Sequence, residues 1–248
     1  MALDEALLES MPRLGRPVLR FYGWTEPAAT FGYFQKYADV ERATQLRPLI
    51  RRPTGGGIVP HDADWTYSLV FPPGHEWHSL KAEASYRRVH EWIQSAFAKL
   101  SIETNLAPCC KKLPPSIRSS RRKEAHSEKS EIGDRKSEIC QSLLTSAPTA
   151  VLPGQCFSGY EKFDLLWKGK KIAGAAQRRN KWGLLIQGSV QPPPISLMRA
   201  GWENAMGEVA RREFGITWND FLPDAKLRVR VDELVRGKYL QETYNRKR

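Results

Sequence analysis

Two stretches of the chain concentrate side chains capable of chemistry. The first, "RRPTGGGIVPHD" (51–62), sets Arg51 and Arg52 ahead of Gly55, Gly56 and Gly57 and ends beside His61. Three consecutive glycines permit positive φ and let backbone N–H groups approach a ligand with no Cβ in the way. Such groups bind a phosphate, or a carbonyl oxygen that is gaining negative charge. Successive strand residues point to opposite faces, so one arginine reaches the site while the other faces solvent or the opposite face. The competing reading is a plain hairpin turn between "PLIRR" and "WTYSLV". No Gly-Lys-Ser/Thr and no helix follows the glycines, which sets aside Walker and dinucleotide fingerprints.

The second stretch is "GQCFSGYEKFDLLWKGKKIAGAAQRR", which begins at Gly154. Cys156 sits among Gly154, Ser158 and Gly159, and is either a small buried apolar residue or a nucleophile. Lys171 precedes a run of small or apolar residues, Ile172 to Ala176, that contains Gly174. It marks either the solvent side of an edge strand or a charge directed into a site lined by small residues. His61 fits a proton relay and a hydrogen-bonded structural histidine equally well. The four cysteines, Cys109, Cys110, Cys140 and Cys156, show no CxxC spacing and no neighbouring histidine pair. This pattern suits neither a disulfide scaffold nor a structural zinc site, and no metal site is expected.

These residues must be positioned by a scaffold, and the periodicities suggest one. "RPVLRFYGW" and "AATFGYF" are short β-type runs broken at Glu26 and Pro27, and "WTYSLVF" is another, stopped by Pro72 and Pro73. From Ser79 the spacing turns helical, with Tyr86, Val89, Ile93, Ala96 or Phe97, and Leu100 on one face. "FDLLW" and "KIAGAAQ" read as strands joined by a tight turn at Lys168, Gly169 and Lys170. "GLLIQGSV" extends the sheet as far as Pro192, and two helices follow at about 197–214 and 229–239. This is an α+β pattern: a mixed, largely antiparallel sheet with packed helices.

No Phe, Tyr or Trp occurs between Phe97 and Phe157. The interval is too polar to offset the entropy of ordering, so about 109–152 reads as a disordered insertion within a single domain spanning 1–248. The 248 residues suffice for a substantial core, and 41% hydrophobic content is ordinary for a globular protein. No apolar run approaches the roughly 20 residues of a membrane helix, and "MALDEALLES" is acidic and helical, unlike a signal peptide. A cytoplasmic protein without membrane attachment follows. The net charge of +12 favours acidic partners, but it is dispersed over the insertion and the 226–248 tail, which sets nucleic acid aside.

"RRPTGGGIVPHD" followed by "TYSLV", then "GKKIAGAAQRR" and "QGSV", resembles the biotin/lipoate protein ligase and octanoyltransferase family. "MALDEALL", "LRFYGW", "FGYFQK", "ASYRRV" and "LVRGKY" extend the likeness over nearly the whole chain outside the insertion. The resemblance implies a biotin/lipoate ligase-like catalytic domain that places an acyl chain on a lysine of a small acidic carrier. The family has two chemistries. Ligases activate a free acid with ATP and Mg through an acyl-adenylate. Octanoyltransferases take the chain from acyl carrier protein, in one subgroup through a cysteine thioester, with no cofactor.

"CFSGYEKFDLLWKGKKIAGAAQ" and "LRFYGWTEPAATFGYFQK" look like that cysteine subgroup, which implies that Cys156 is the nucleophile. The chain also stops after "LVRGKYLQETYNRKR", leaving no room for the accessory C-terminal domain of many ligases. The expected partners are octanoyl-acyl carrier protein and a lipoyl carrier, either a glycine cleavage H protein or a dehydrogenase E2 lipoyl domain, acting on a monomeric enzyme. ATP-dependent lipoate or octanoate ligation is the alternative.

The chemistry constrains the remaining roles. A carrier lysine has a reference pKa of about 10.4, so at neutral pH roughly one in a few thousand is a free amine. A thioester supplies the activated electrophile, and its exchange between thiols needs no ATP. A cation favours the thiolate of Cys156, and Lys171 is the candidate. Lys171 and the Gly55–Gly57 backbone would hold the oxyanion. Arg51, Arg52, His61, Gly174 and Gln177 complete the expected substrate-binding set. Lys171 should pair near Leu166, which leaves Cys156 some ten residues away along the chain, so the 154–159 loop must fold back over the sheet.

Overall fold

Alternation in "WTYSLVF" builds the centre of the molecule. In the computed structural model, which describes residues 1–108 and 156–247, this run forms a strand with no exposed residue. The chain divides into two units, 1–110 with 152–248, and 111–151. The second unit lies outside the described residues, as do Cys109, Cys110, Cys140 and the insertion expected at about 109–152.

In chain order the first half contains α1 (Ala2–Leu14), β1 (Val18–Tyr22), β2 (Ala28–Phe31), α2 (Tyr37–Ala43), β3 (Leu49–Arg51), β4 (Val59–His61), β5 (Trp65–Phe71), α3 (Glu76–Ser79), α4 (Ala82–Lys99) and β6 (Asn105–Leu106). The second half contains β7 (Leu165–Trp167), β8 (Lys170–Asn180), β9 (Gly183–Val190), α5 (Arg199–Phe214), α6 (Ala225–Leu234) and α7 (Glu242–Asn245). A single π-helical turn, Val235–Tyr239, continues α6. The expected strands, the long helix and the turn at Lys168 and Gly169 are present, the last expected helix starts earlier, at Ala225, and ends in the π-helical turn, and the fold is α+β.

Six strands form an antiparallel sheet in the order β1-β5-β9-β8-β7-β6. Lys168 and Gly169 both take positive φ in the β7–β8 turn, as a tight hairpin matching the strand twist requires. One face of the sheet presents Trp65, Tyr67, Leu69 and Phe71 from β5 with Leu184 and Ile186 from β9. Against it pack Val89, Trp92, Ile93, Ala96 and Phe97 of α4 and Trp202, Met206 and Val209 of α5. The helical spacing in α4 therefore serves the core, as its period demands.

The opposite face is divided. At one end Val18, Val70 and Leu185 lie under Leu7, Leu8 and Met11 of α1. At the other end the register aligns Arg20 with Ser68, Tyr22 with Thr66, Ser68 with Gln187 and Thr66 with Ser189. Paired residues share a face, so this end is a polar floor within a buried sheet.

A second sheet of three strands, β3-β2-β4, carries the glycine segment. Strand β2 runs parallel to β3 and antiparallel to β4. The glycines thus link two strands on either side of β2, and "PLIRR" and "WTYSLV" belong to different sheets. The hairpin-turn reading of this segment is overturned. Among the described residues no helix is long and apolar enough to cross a membrane.

Candidate active site

The polar floor opens into a cavity. About 420 Å³ of empty space, its mouth included, is bounded by Tyr22, Thr66, Gln187 and Ser189 from the floor, by Arg52, Gly56 and His61 from the small sheet, and by Cys156, Phe157 and Gly174.

Cys156 and Lys171, fifteen positions apart, meet here. The Cys156 N–H donates to the Ile58 carbonyl at 2.9 Å, tying the cysteine segment to the strand after the glycines. Lys171 pairs with Leu166 across the hairpin, and its Nζ lies 3.5 Å from Cys156 Sγ. The segment does fold back over the sheet. Cys156 is a free thiol and half-buried, whereas the Lys171 side chain is 4% exposed.

A buried ammonium needs an anion, and Asp164 supplies it. Lys171 Nζ donates to Asp164 Oδ2 at 2.7 Å, and that carboxylate is fully buried. The same oxygen accepts the Glu161 N–H at 2.7 Å, while Oδ1 accepts the Tyr86 hydroxyl from α4. A short turn, Asp164 N–H to the Glu161 carbonyl, aims the carboxylate inward, with Phe163 in the left-handed region at φ 69°. A bulky residue there is a costly conformation that neighbouring structure must impose. Burial alone would pull Lys171 down, but the sulfur and the carboxylate together hold it above the ordinary lysine value. Burial and the nearby Asp164 charge push Tyr86 well up, so its phenol stays a donor.

Gly174 makes room for this cluster. A Cβ there would lie 2.7 Å from Lys171 Cε and 2.8 Å from its Nζ. Phe157 covers the ammonium from the other side, with its ring centre 5.3 Å from Nζ.

The glycine segment is held from within by an arginine. Arg52 Nη2 donates to the carbonyls of Gly55 and Gly57, at 2.9 and 2.8 Å, so Arg52 braces the loop from within. Gly56 lines the cavity, and Gly55 and Gly57 do not. Burial pulls Arg52 down to about 10, which still leaves it cationic at neutral pH. Its Nη1 donates to Thr30 Oγ1 at 2.9 Å. Thr30 Oγ1 is 2.7 Å from His61 Nε2, and His61 Nδ1 is 2.9 Å from Asp64 Oδ2. The Trp24 ring stacks on His61, their centres 4.2 Å apart. With both nitrogens engaged and one ring face covered, His61 is a structural element of the cavity wall.

Arg51 and Gln177 do not line the cavity. Arg51 points away from it, as alternation requires, but into protein rather than solvent. Its guanidinium donates to the carbonyls of Tyr33, Gln35, Tyr244 and Asn245, so it clasps α7 to the small sheet. Gln177 is paired with Ile186, on the core face, and its amide reaches Ala82 and Ser85 at the start of α4. Period-two alternation separates it from Gly174 and Ala176, which line the cavity.

The expected set lacked several residues that shape this site. Asp164 sits in the apolar run "FDLLW", and an acid in such a run is itself a signal of a buried partner. Tyr86 reads as one more apolar residue on a helix face. Asp64, whose Oδ2 also accepts from Thr66 and Ser189, and Asp4, which accepts from Arg20, Tyr22, Ser68 and Gln187, are two further buried hubs. Among the described residues no cluster of His, Cys, Asp or Glu has the makings of a metal site.

The chain is similar to several known proteins. Octanoyltransferase LipM of Geobacillus kaustophilus is 31% identical over 199 residues, covering 77% of this chain and 59% of that protein. Octanoyltransferase LipM of Halalkalibacterium halodurans is 32% identical over 196 residues, covering 77% and 60%. The chain thus spans about 60% of the length of these curated relatives. A solved lipoate-protein ligase A bound with ATP superposes with a TM-score of 0.68 at 21% identity, covering 99% of this chain and 92% of that one. A bi-partite lipoate protein ligase from Thermoplasma acidophilum superposes with a TM-score of 0.65 at 17% identity, covering 99% and 89%. At such identities these superpositions establish the fold alone. The family described as the lipoyl protein ligase A/B catalytic domain matches residues 1–191, and the chain belongs to it.

Proposed function

We propose that the chain is an acyltransferase that moves an octanoyl group from acyl carrier protein to a lysine of a lipoyl carrier protein through a thioester on Cys156. The observation that carries this reading is the approach of Lys171 Nζ to 3.5 Å from Cys156 Sγ beside the cavity. An ammonium at that distance favours the thiolate, the nucleophilic form of the sulfur. The LipM relatives bear the same activity in their names.

In the first half-reaction the thiolate attacks the octanoyl thioester carbonyl. A new sulfur–carbon bond forms, the carrier's breaks, and the carrier leaves as its thiol, taking up the proton that Cys156 gave up. One thioester replaces another, so no nucleotide is consumed. Lys171 donates toward the transient oxyanion, and Arg52 adds fixed positive charge to the same wall. In the second half-reaction the neutral amine of the receiving lysine attacks the enzyme thioester. The amide forms, the sulfur–carbon bond breaks, and the amine's lost proton ends on the sulfur, restoring the thiol. Acidic carriers suit a chain of net charge +12, and their encounter should slow as salt rises.

Intact mass after incubation with octanoyl-acyl carrier protein tests the reading. One octanoyl group should appear on the wild type and none on Cys156→Ala. Full transfer by Cys156→Ala, dependent on octanoate and ATP, would assign nucleotide-driven ligation instead.

A further inference from the structure

Lys171 faces two groups able to carry negative charge. One is the sulfur of Cys156, 3.5 Å away, which can carry none once it is acylated. The other is the Asp164 carboxylate, whose ion pair is the one that Lys171 makes among the described residues. Asp164 is also fastened from both sides, by the Tyr86 hydroxyl on Oδ1 and the Glu161 N–H on Oδ2, so it cannot turn away. A lysine this buried and without an anion gives up its proton. Resting on the thioester reading above, we propose that Asp164, fixed by Tyr86, is a positioning residue for the second half-reaction. It supplies the counter-charge that keeps Lys171 an ammonium in the acyl-enzyme.

The consequence is an asymmetry between the two steps. During acylation the attacking thiolate itself pairs with Lys171, so the ammonium has an anion with or without Asp164. Before deacylation the thioester offers a carbonyl oxygen and no charge. The ammonium is needed again when the amine attacks, first for the oxyanion and then for the departing sulfur. Among the described residues, Asp164 alone bridges that interval. The surroundings offer little substitute. Tyr86 and His90 face the pair from α4, Tyr67 lies beneath from β5, and Arg52 adds a like charge across the cavity. Burial holds both tyrosines protonated and His90 neutral. None of them is an anion at neutral pH.

The test separates the half-reactions with Asp164→Asn, which keeps the shape and removes the charge. Acylation is followed by intact mass with octanoyl-acyl carrier protein. Deacylation is followed by mixing isolated octanoyl-enzyme with a lipoyl domain. We expect deacylation to slow by roughly 10²-fold, the cost of losing one charged donor, and acylation by at least ten times less, so that acyl-enzyme accumulates. The deficit relative to wild type should shrink as pH is lowered, because acid returns the proton to Lys171. Tyr86→Phe should show the same asymmetry in weaker form. Equal losses in both steps, at every pH, would reduce Asp164 to a structural residue and overturn the proposal. Should Asp164→Asn fail to fold, the wild type decides through the NMR signal of ε-labelled Lys171: an ammonium in the octanoyl-enzyme at neutral pH supports the proposal, and a neutral amine overturns it. A wild type that never acquires an octanoyl group would instead remove the thioester reading itself.

Discussion

Gly174→Ala separates geometry at the site from stability of the fold. The added Cβ would stand 2.8 Å from Lys171 Nζ and 2.7 Å from Cε, where ordinary contacts are about 3.5–4.0 Å. The ammonium must therefore retreat by roughly 1 Å. It starts 2.7 Å from Asp164 and 3.5 Å from Cys156, so such a retreat cannot preserve both approaches. Misplacement of a reacting group by about 1 Å costs on the order of 10²-fold in rate, or about 2.7 kcal/mol of barrier. The fold should hardly notice. The displaced atoms are the far end of a flexible side chain, and Gly174 is not among the residues of positive φ. Replacing a glycine of compatible backbone stabilises by about 0.4–1 kcal/mol through the unfolded chain, which offsets a small local strain. Single-turnover acylation by octanoyl-acyl carrier protein and a thermal melt, run on the same preparation, give both quantities. Acylation at the wild-type rate would refute the argument, because it would mean that the ammonium does not act from its observed place. A melting point lowered as far as the rate would refute it too.

Three other perturbations probe the scaffold. At Gly188→Ala the new Cβ would fall within the Tyr67 ring, which is fully buried beside Trp202; about 3 kcal/mol or more of overpacking should lower the calorimetric midpoint by several degrees. Arg51→Met removes the donors that hold the carbonyls of Tyr33, Gln35, Tyr244 and Asn245, so about 3 kcal/mol should be lost, with hydrogen exchange quickening first in α7. His90 is fully buried with neither ring nitrogen hydrogen-bonded, and burial pulls it down to about 4. Its contribution is complete above the ordinary histidine value of about 6.5 and is lost as pH falls toward about 4, by roughly 3 kcal/mol. Urea melts of wild type and His90→Leu across that range should converge or cross as pH falls; a constant gap would count against it.

How much of this was readable before coordinates depended on range. The β-type runs "WTYSLVF" and "GLLIQGSV" and the change of period at α4 are local, and they placed the strands, the helix and the helix's buried face. The meeting of Cys156 with Lys171 followed from the family likeness and required a fold-back that composition could not show. Its cause is non-local: the Cys156 N–H bonds to the Ile58 carbonyl, nearly a hundred residues earlier. Arg51 and Arg52 were correctly set on opposite faces, but which of them reached the cavity depended on where α7 docks. Gln177 was misplaced although alternation from Gly174 would have put it on the core face. The glycine segment was read as a source of N–H donors. Arg52 also braces it from inside through the Gly55 and Gly57 carbonyls, and no turn signal encodes such a brace.

Strand β8 breaks the rules of strand construction where the candidate site lies. Gly174, Ala175 and Ala176 are poor strand formers in the middle of a sheet, and Lys171 joins them with a buried charge. A buried ion pair gains little over a well-packed apolar pair, because desolvation of both ions offsets their attraction. Stability alone therefore explains neither the small side chains nor the pair. Space explains the first: any larger residue at 174 would occupy the volume that the Lys171 amine and the Asp164 carboxylate share. On the proposed thioester mechanism reactivity explains the second, since an ammonium removed from water acts on a neighbouring sulfur through a low dielectric. The strand tolerates both departures because β9 and β7 pair along its two edges and α4 packs against it. Local inconsistency inside an otherwise consistent sheet is the physical mark of a site, and here it falls on the residues that surround Cys156.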